Sequence, residues 1–311
     1  MQSNYGIPYP IQSAKQLGMS FKVATFPSTI LKGLLRAARA HGVKLYATQF
    51  ATNLIACMRA ALPPLTDSEH RVTLPFNAVD LRRLLSTLGQ TELVSALGFN
   101  TLDARDLMRF RAAGEEGASE RVILDAVWTL AREIQVQLNE QAEWDTDFVK
   151  SAPAVLGTIA TWLKNEPYAY STLFLASSSL FLPDRPQTDN ATPQITNTGV
   201  LDCLVKSSYP VASRAPMKVL DVVLHNIIFH VAVHTYTWCG ELHYSYSVPL
   251  VAGGAPAQTE VVGKWMQELE RITMMAASDF KEECVLVQPK FVDLRMGEVN
   301  LKSSGEAERI Y

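Results

Sequence analysis

Residues 225–250, HNIIFHVAVHTYTWCGELHYSYSVPL, hold four of the six histidines of the chain. On a helix, His230 and His234 would stand at i and i+4 on one face, close enough to share a metal ion. The residues around them oppose a helix. Ile227, Ile228, Val231, Val233, Thr235 and Thr237 are β-branched and Phe229, Tyr236 and Trp238 are aromatic, a mix that prefers a pleated surface. On a strand the two histidines still share a side, but four residues of rise separate them by roughly 13 Å, beyond the reach of one ion. Cys239-Gly240-Glu241 supplies a turn, after which Leu242, Tyr244, Tyr246 and Val248 alternate with His243, Ser245 and Ser247. The pattern predicts a long β-hairpin with strands near 219–237 and 241–248. Its histidines are expected cross-strand or partly exposed, with no metal and no catalytic residue among them.

The remaining reactive residues are scattered. His41, in ARAHGVK, stands where a histidine caps a helix and favours its dipole, and His70 lies in the polar stretch TDSEH, read as a solvated turn. Ser177-Ser178-Ser179 lacks the G-x-S-x-G elbow of a hydrolase nucleophile. Cys57, Cys203, Cys239 and Cys284 are far apart with no CxxC pair, so neither a zinc site nor a disulfide framework is indicated, and a reducing cytoplasm is expected.

These residues must be positioned by a sizeable core, since the 311 residues are 48% hydrophobic. A formal charge of −3, with no basic cluster interleaved with aromatics, excludes a nucleic-acid field. The opening MQSNYGIPYPIQSAKQLGMS has neither a basic n-region nor an apolar h-region, and no run of 18 apolar residues follows, so neither export nor a membrane span is expected.

Along the chain, FKVATF at 21–26 reads as a strand. Pro27-Ser28 opens a helix with Ile30, Leu31, Leu34, Leu35 and Ala38 on one face, stopped at Gly42. LYATQFATNLIACMRAAL is a second amphipathic helix with a stripe of Leu45, Phe50, Leu54, Ile55 and Met58, ended by Pro63-Pro64. RVTLPFNAVDLRRLL reads as a strand entering a short helix, and GEEGASE as a surface loop before a long helix with Val122, Leu124, Val127, Trp128, Ile134 and Leu138 as apolar positions. A helix over DFVKSAPAVLGTIATWLKNE, a strand over YSTLFLASSSLFLP and a loop over DRPQTDNATP follow. QITNTGVLDCLVKSSYP then reads as a strand, a tight turn at Gly199 and a helical turn. After the hairpin comes a helix near 258–277 with Val261, Val262, Trp265, Leu269, Ile272 and Met275 aligned, and residues 279–311 read as a tail or edge segment. Helices and strands interspersed around a hairpin, without repeated βαβ units, predict an α+β fold with a mixed sheet.

Four stretches, in this order, resemble the C-terminal half of the chloramphenicol-acetyltransferase-like superfamily, and most closely its fungal trichothecene-type O-acetyltransferases. FPSTILKGLLRAARAHGVKLYATQFATNLIACMRAAL resembles the opening pair of helices, and TLPFNAVDLRRLL the strand that runs into an Asp-Leu-Arg stretch. ITNTGVLDCLVKSSYP resembles a strand and turn carrying a glycine and an acidic residue, and HVAVHTYTWCGELHYSYSV the long crossover strand with its returning partner. The resemblance implies a single lobe of a two-lobed fold over 20–278, with a lead-in at 1–19 and a tail at 279–311. It also implies acyl-CoA as co-substrate with no bound cofactor, and a small-molecule alcohol as acceptor. Gly199 and Asp202 are candidates for the ligand-channel floor, beside the plainer reading that Gly199 allows a turn and Asp202 bonds nearby amides.

One departure limits the inference. The superfamily depends on an HHxxxDG motif in its N-terminal half, whose second histidine deprotonates the acceptor. This sequence has no adjacent histidine pair, nor the DFGWG stretch of plant relatives. The expectation is therefore a half enzyme, inactive alone, or a non-catalytic binding or oligomerising module that kept the fold. A half enzyme would leave Phe229, Tyr236, Trp238, Tyr244 and Tyr246 exposed for self-association or a complementary chain.

Overall fold

Strands need neighbours and amphipathic helices need a surface to cover. In the computed structural model both needs are met by a five-stranded sheet with described helices packed on one side. The described residues are 2–4, 7–8, 17–63, 65, 69–80, 97–142, 190–191, 193–211, 215–224, 231–251, 256–279 and 290–295. Their strands are β1 (Gln2–Asn4), β2 (Ile7–Pro8), β3 (Leu17–Phe26), β4 (Glu69–Asp80), β5 (Leu97–Ala104), β6 (Asn190–Ala191), β7 (Gln194–Val200), β8 (Ser208–Tyr209), β9 (Met217–Lys218), β10 (Ala232–Trp238), β11 (Glu241–Val251) and β12 (Lys290–Arg295). The α-helices are α1 (Ser28–Ala40), α2 (Leu45–Ala60), the single turn α3 (Arg111–Gly114), α4 (Glu120–Ala142) and α5 (Pro256–Ser278).

The main sheet has the order β12-β3-β11-β10-β7. Its pairings are antiparallel except β7 with β10, which are parallel, so the sheet is mixed and the fold is α+β, as the sequence pattern predicts. A second sheet runs β1-β4-β5, and β2-β6 and β8-β9 form short ribbons. Among the described residues no helix is long and apolar enough to cross a membrane.

The hairpin forms, with different bounds. Cys239 and Gly240 both have positive φ, 51° and 76°, the two-residue turn whose twist suits antiparallel strands. β10 begins only at Ala232; residues 219–224 are not strand, and 225–230, with His225, Phe229 and His230, lie outside the described residues. Alternation sorts β11 between two faces. Leu242, Tyr244 and Tyr246 turn toward the helices, where the Tyr244 hydroxyl meets Thr273 Oγ1 of α5 at 3.1 Å and Tyr246 packs edge-on to Trp265 of the same helix.

α1 buries Ile30, Leu31, Leu34 and Ala38 as expected, with Leu35 half-buried. It lies so close to α5 that a Cβ on Gly33 would stand 2.4 Å from the Ala277 carbonyl oxygen. α2 departs from the amphipathic expectation: every residue from Ala47 to Met58 is buried, because the helix is sandwiched between α4, α5 and the sheet. Several of its polar groups are therefore paired inside. Asn53 donates to the Pro193 carbonyl and accepts from the Trp265 indole, and Gln49 Oε1 accepts from Asn197 and Thr235.

Several sequence expectations need correction. Val122 is exposed, because the core stripe of α4 runs through Ile123, Val127, Leu130, Ala131 and Ile134 instead. His70 lies in strand β4, not in a turn. β5 has no counterpart in the sequence reading. Gly199, with φ of 81°, sits not in a turn but at a bulge, where β7 gains a residue on β10 between the Asn197–Thr235 and Gly199–Tyr236 pairs. Residues 290–295 form the edge strand of the main sheet. The helix over DFVKSAPAVLGTIATWLKNE, the strand over YSTLFLASSSLFLP with Ser177-Ser178-Ser179, and the helical part of DLRRLL lie outside the described residues.

Candidate functional site

The side of the sheet turned away from the described helices carries the candidate polar residues. Directly paired residues on neighbouring strands share a face, so the pairs His243–Thr25, Tyr236–His243, His234–Ser245 and His234–Thr196 place two histidines, two threonines, a tyrosine and a serine in one row across β3, β11, β10 and β7. His243 is only 2% exposed. Its Nδ1 lies 3.1 Å from Thr25 Oγ1, and its ring stacks on Tyr236 with centroids 4.8 Å apart and planes 1° from parallel. Burial holds its pKa below the ordinary histidine value, against the Trp238 carbonyl and the charges of Asp221 and Glu241. The ring is therefore neutral at physiological pH. His234 Nδ1 meets Thr196 Oγ1 at 2.6 Å.

A strap of residues 219–224 crosses this face at the turn end of the hairpin. Tyr236 donates its hydroxyl to the Val222 carbonyl at 2.7 Å, and the Trp238 indole donates to the Val205 carbonyl at 3.0 Å. Leu201, Val219, Val222 and Leu224 cover the two rings. Burial, with Asp221 nearby, pushes the Tyr236 hydroxyl up to about 12, so it remains a donor at any working pH. The expected exposed aromatic surface is thereby overturned: Tyr236 is 1% and Trp238 5% exposed, and Tyr244 and Tyr246 are fully buried beneath α5. The chain covers these rings itself.

Asp202 and Gly199 have defined structural partners. Asp202 Oδ1 accepts the backbone N–H of Cys239 at 2.9 Å, tying the turn of the hairpin to the end of β7. Gly199 donates its N–H to Asn197 Oδ1 at 2.6 Å, while Asn197 Nδ2 donates to Gln49, so the bulge is anchored in α2. His41 is the C-cap of α1, as its place in the sequence predicts. Its Nε2 lies 3.1 Å from Asp279 Oδ2, which also accepts the Trp128 indole, and its ring stacks on Trp128 at 4.2 Å. Among the described residues no group of three or more His, Cys, Asp or Glu can hold a metal ion.

Sequence reasoning placed His243 on the face of the serines but missed Thr25 and Thr196. The alternation around them was visible, yet nothing in the chain announces which strand lies beside which.

No family model and no curated protein matches the sequence. Solved structures do. A trichothecene 15-O-acetyltransferase of Fusarium sporotrichioides superposes with a TM-score of 0.65 at 12% identity, over 88% of this chain and 49% of that one. The chain has a chloramphenicol-acetyltransferase-like fold. The PapA2 acyl transferase (12% identity, TM-score 0.46, 89% of this chain and 49% of that one) is more distant. So is the cyclization-docking bidomain of the EpoB nonribosomal peptide synthetase from Sorangium cellulosum (13%, 0.45, 87% and 45%). The chain spans about half the length of the acetyltransferase it matches.

Proposed function

We propose that the chain is one lobe of an acyl-CoA-dependent O-acyltransferase of secondary, mycotoxin-type metabolism, working in the cytoplasm, and that it does not transfer acyl groups alone. The observation that supports this is the superposition over nearly the whole chain on half of a trichothecene acetyltransferase. The transfer needs a base to take the proton of the acceptor hydroxyl as its oxygen attacks the thioester carbonyl and the CoA thiolate leaves. The 311 residues hold no adjacent histidine pair to supply it. In this reading the base comes from a first lobe, covalently linked or in trans. Gly199 and Asp202 floor the ligand channel, the bulge and the tied turn keeping that end of the sheet rigid. Acyl-CoA and a small-molecule alcohol are then the substrates.

The test is co-purification. The chain, tagged and expressed in its source cells, is expected to bring down a polypeptide with the HHxxxDG motif, or to be found within a longer polypeptide that contains it. A free, homogeneous monomer with no such sequence would overturn the reading. One observation favours the second reading, a binding module that kept the fold and lost the chemistry: Tyr236 and Trp238, expected to await another lobe, are already covered by Leu201, Val219, Val222 and Leu224.

A further inference from the structure

Exposed apolar side chains are not spread evenly over this chain. Among the described residues eight large ones are exposed, and five of them, Val200, Leu204, Val211, Met217 and Leu220, fall between positions 200 and 220, next to the turn end of the main hairpin. Leu220 is 90% and Leu204 66% exposed, and a side chain that meets water over most of its surface projects from the protein instead of lining a groove.

The segment that carries them is tied down. The Val205 carbonyl accepts the Trp238 indole, the Tyr209 hydroxyl accepts the Lys206 backbone N–H, and Val219 donates its N–H to the Ser207 carbonyl beside the Ser208–Lys218 and Tyr209–Met217 pairs of the β8–β9 ribbon. Alternation along the ribbon sets Val219 against the Tyr236 and Trp238 rings and turns Lys218 and Leu220 to the opposite, solvent side. Charge follows the same division. Residues 203–220 hold Lys206, Arg214 and Lys218 and no Asp or Glu, and taking that +3 from the −3 of the whole chain leaves −6 on all other residues. The flanking acids are engaged at the root of the segment, Asp202 with the Cys239 N–H and Asp221 with the Val222 N–H. Projecting apolar tips among lysines suit a deformable apolar phase bounded by negative charge better than a rigid concave partner, and the charge division orients this end toward an anionic surface and the rest away from it.

We propose that residues 200–211 and 215–220 form a peripheral docking surface for an anionic lipid bilayer, with Leu204 and Leu220 entering the boundary between headgroups and acyl chains and Lys206 and Lys218 meeting the headgroup anions. The contact is one of the surface only: among the described residues no helix is long and apolar enough to cross a membrane.

The experiment is vesicle flotation of the full chain, with vesicles of phosphatidylcholine and phosphatidylserine compared with phosphatidylcholine alone. The chain is expected to float with the anionic vesicles and to be released as salt rises to about 1 M, where the screening length falls to about 3 Å. The double variant Lys206→Ser/Lys218→Ser should partition about 25-fold less, about fivefold for each lysine. Leu204→Ser/Leu220→Ser should partition at least about tenfold less. All four side chains are exposed, so both variants should keep the wild-type circular dichroism spectrum. A chain that stays with neither vesicle overturns the proposal. So does flotation that needs the lysines but not the leucines, which is electrostatic adsorption without insertion. Retention of an acidic polypeptide such as polyglutamate through the same four side chains, with no flotation, would make this a protein-docking surface and overturns it equally. None of these readouts involves acyl transfer or an HHxxxDG partner, so the proposal stands or falls apart from the acyltransferase reading.

Discussion

Replacing Glu270 by glutamine should remove a component of stability that falls as pH rises. Glu270 lies on α5, 5% exposed, facing the sheet beneath Tyr246. Burial pushes its carboxyl up from the ordinary 4.5 to about 7, with the charge of Lys22 pulling the other way. A folded-state pKa above the unfolded one means that between these values the native state holds a proton the unfolded state has released. Stability from this group is then greatest at and below pH 4.5, declines as pH rises toward 7, and stays at its lower level beyond. The difference of 7 − 4.5 corresponds to about 3 kcal/mol, an upper bound because a buried carboxylate admits water before it bears its full desolvation penalty. Glutamine has nearly the same shape and never ionises. Urea unfolding of the two proteins at pH 5, 6, 7 and 8, with m-values checked for equality, isolates the effect as the difference between them. That difference should be near zero at pH 5 and favour Glu270→Gln by up to about 3 kcal/mol at pH 8. A difference constant with pH, or one that favours the wild type increasingly above pH 6, would refute the assignment of Glu270 as a carboxyl kept protonated by burial.

Gly33→Ala should destabilise by about 1–3 kcal/mol, since its Cβ must push α1 off the Ala277 carbonyl; the thermal midpoint reads this, and an unchanged midpoint would mean that the two helices part freely. Gly199→Ala meets no atom within 4 Å, so its expected cost of about 1–2 kcal/mol is the backbone penalty of positive φ alone, measured by urea unfolding. Asp202→Ala should cost about 1 kcal/mol by freeing the Cys239 N–H, while Asp202→Asn, which keeps an acceptor, should cost nearly nothing. Trp238→Asp should abolish soluble folded protein on expression, because it sets a charge among Leu201, Val219 and Val222; a folded variant with wild-type circular dichroism would contradict the burial.

Local patterns were legible where one segment decides its own conformation. The β-branched and aromatic content of 231–238, the positive-φ turn at Cys239-Gly240 and the apolar face of α1 are all readable from neighbours in the chain. The mixed α+β class followed from the order of such segments. What long-range packing decides was not legible. α2 looks amphipathic because Thr48, Gln49, Thr52 and Asn53 are polar, yet all four are buried: the two threonines bond carbonyls of the preceding turn, and Gln49 and Asn53 are bonded across 140 residues or more to Pro193, Asn197 and Thr235. Gly199 signalled positive φ correctly, but a bulge and a turn ask for the same residue, and only the pairing with β10 separates them. The aromatic side chains of the hairpin were identified correctly and their surroundings were not, because the strap that covers Tyr236 and Trp238 carries no periodic pattern of its own. Of the candidate site, His243 and its face were legible; Thr25, 218 residues away, was not.

In the proposed reading the base comes from a first lobe, so the isolated chain is expected to be silent. Incubating the purified chain with acetyl-CoA and a trichothecene bearing a free 15-hydroxyl, with the acetylated product measured by mass spectrometry, tests this directly. General-base assistance typically contributes ~10² to 10⁴-fold, so product is expected no faster than in the protein-free control. Product formed above that control, and lost on replacing His243 by phenylalanine, would place the base on the sheet itself and overturn the reading.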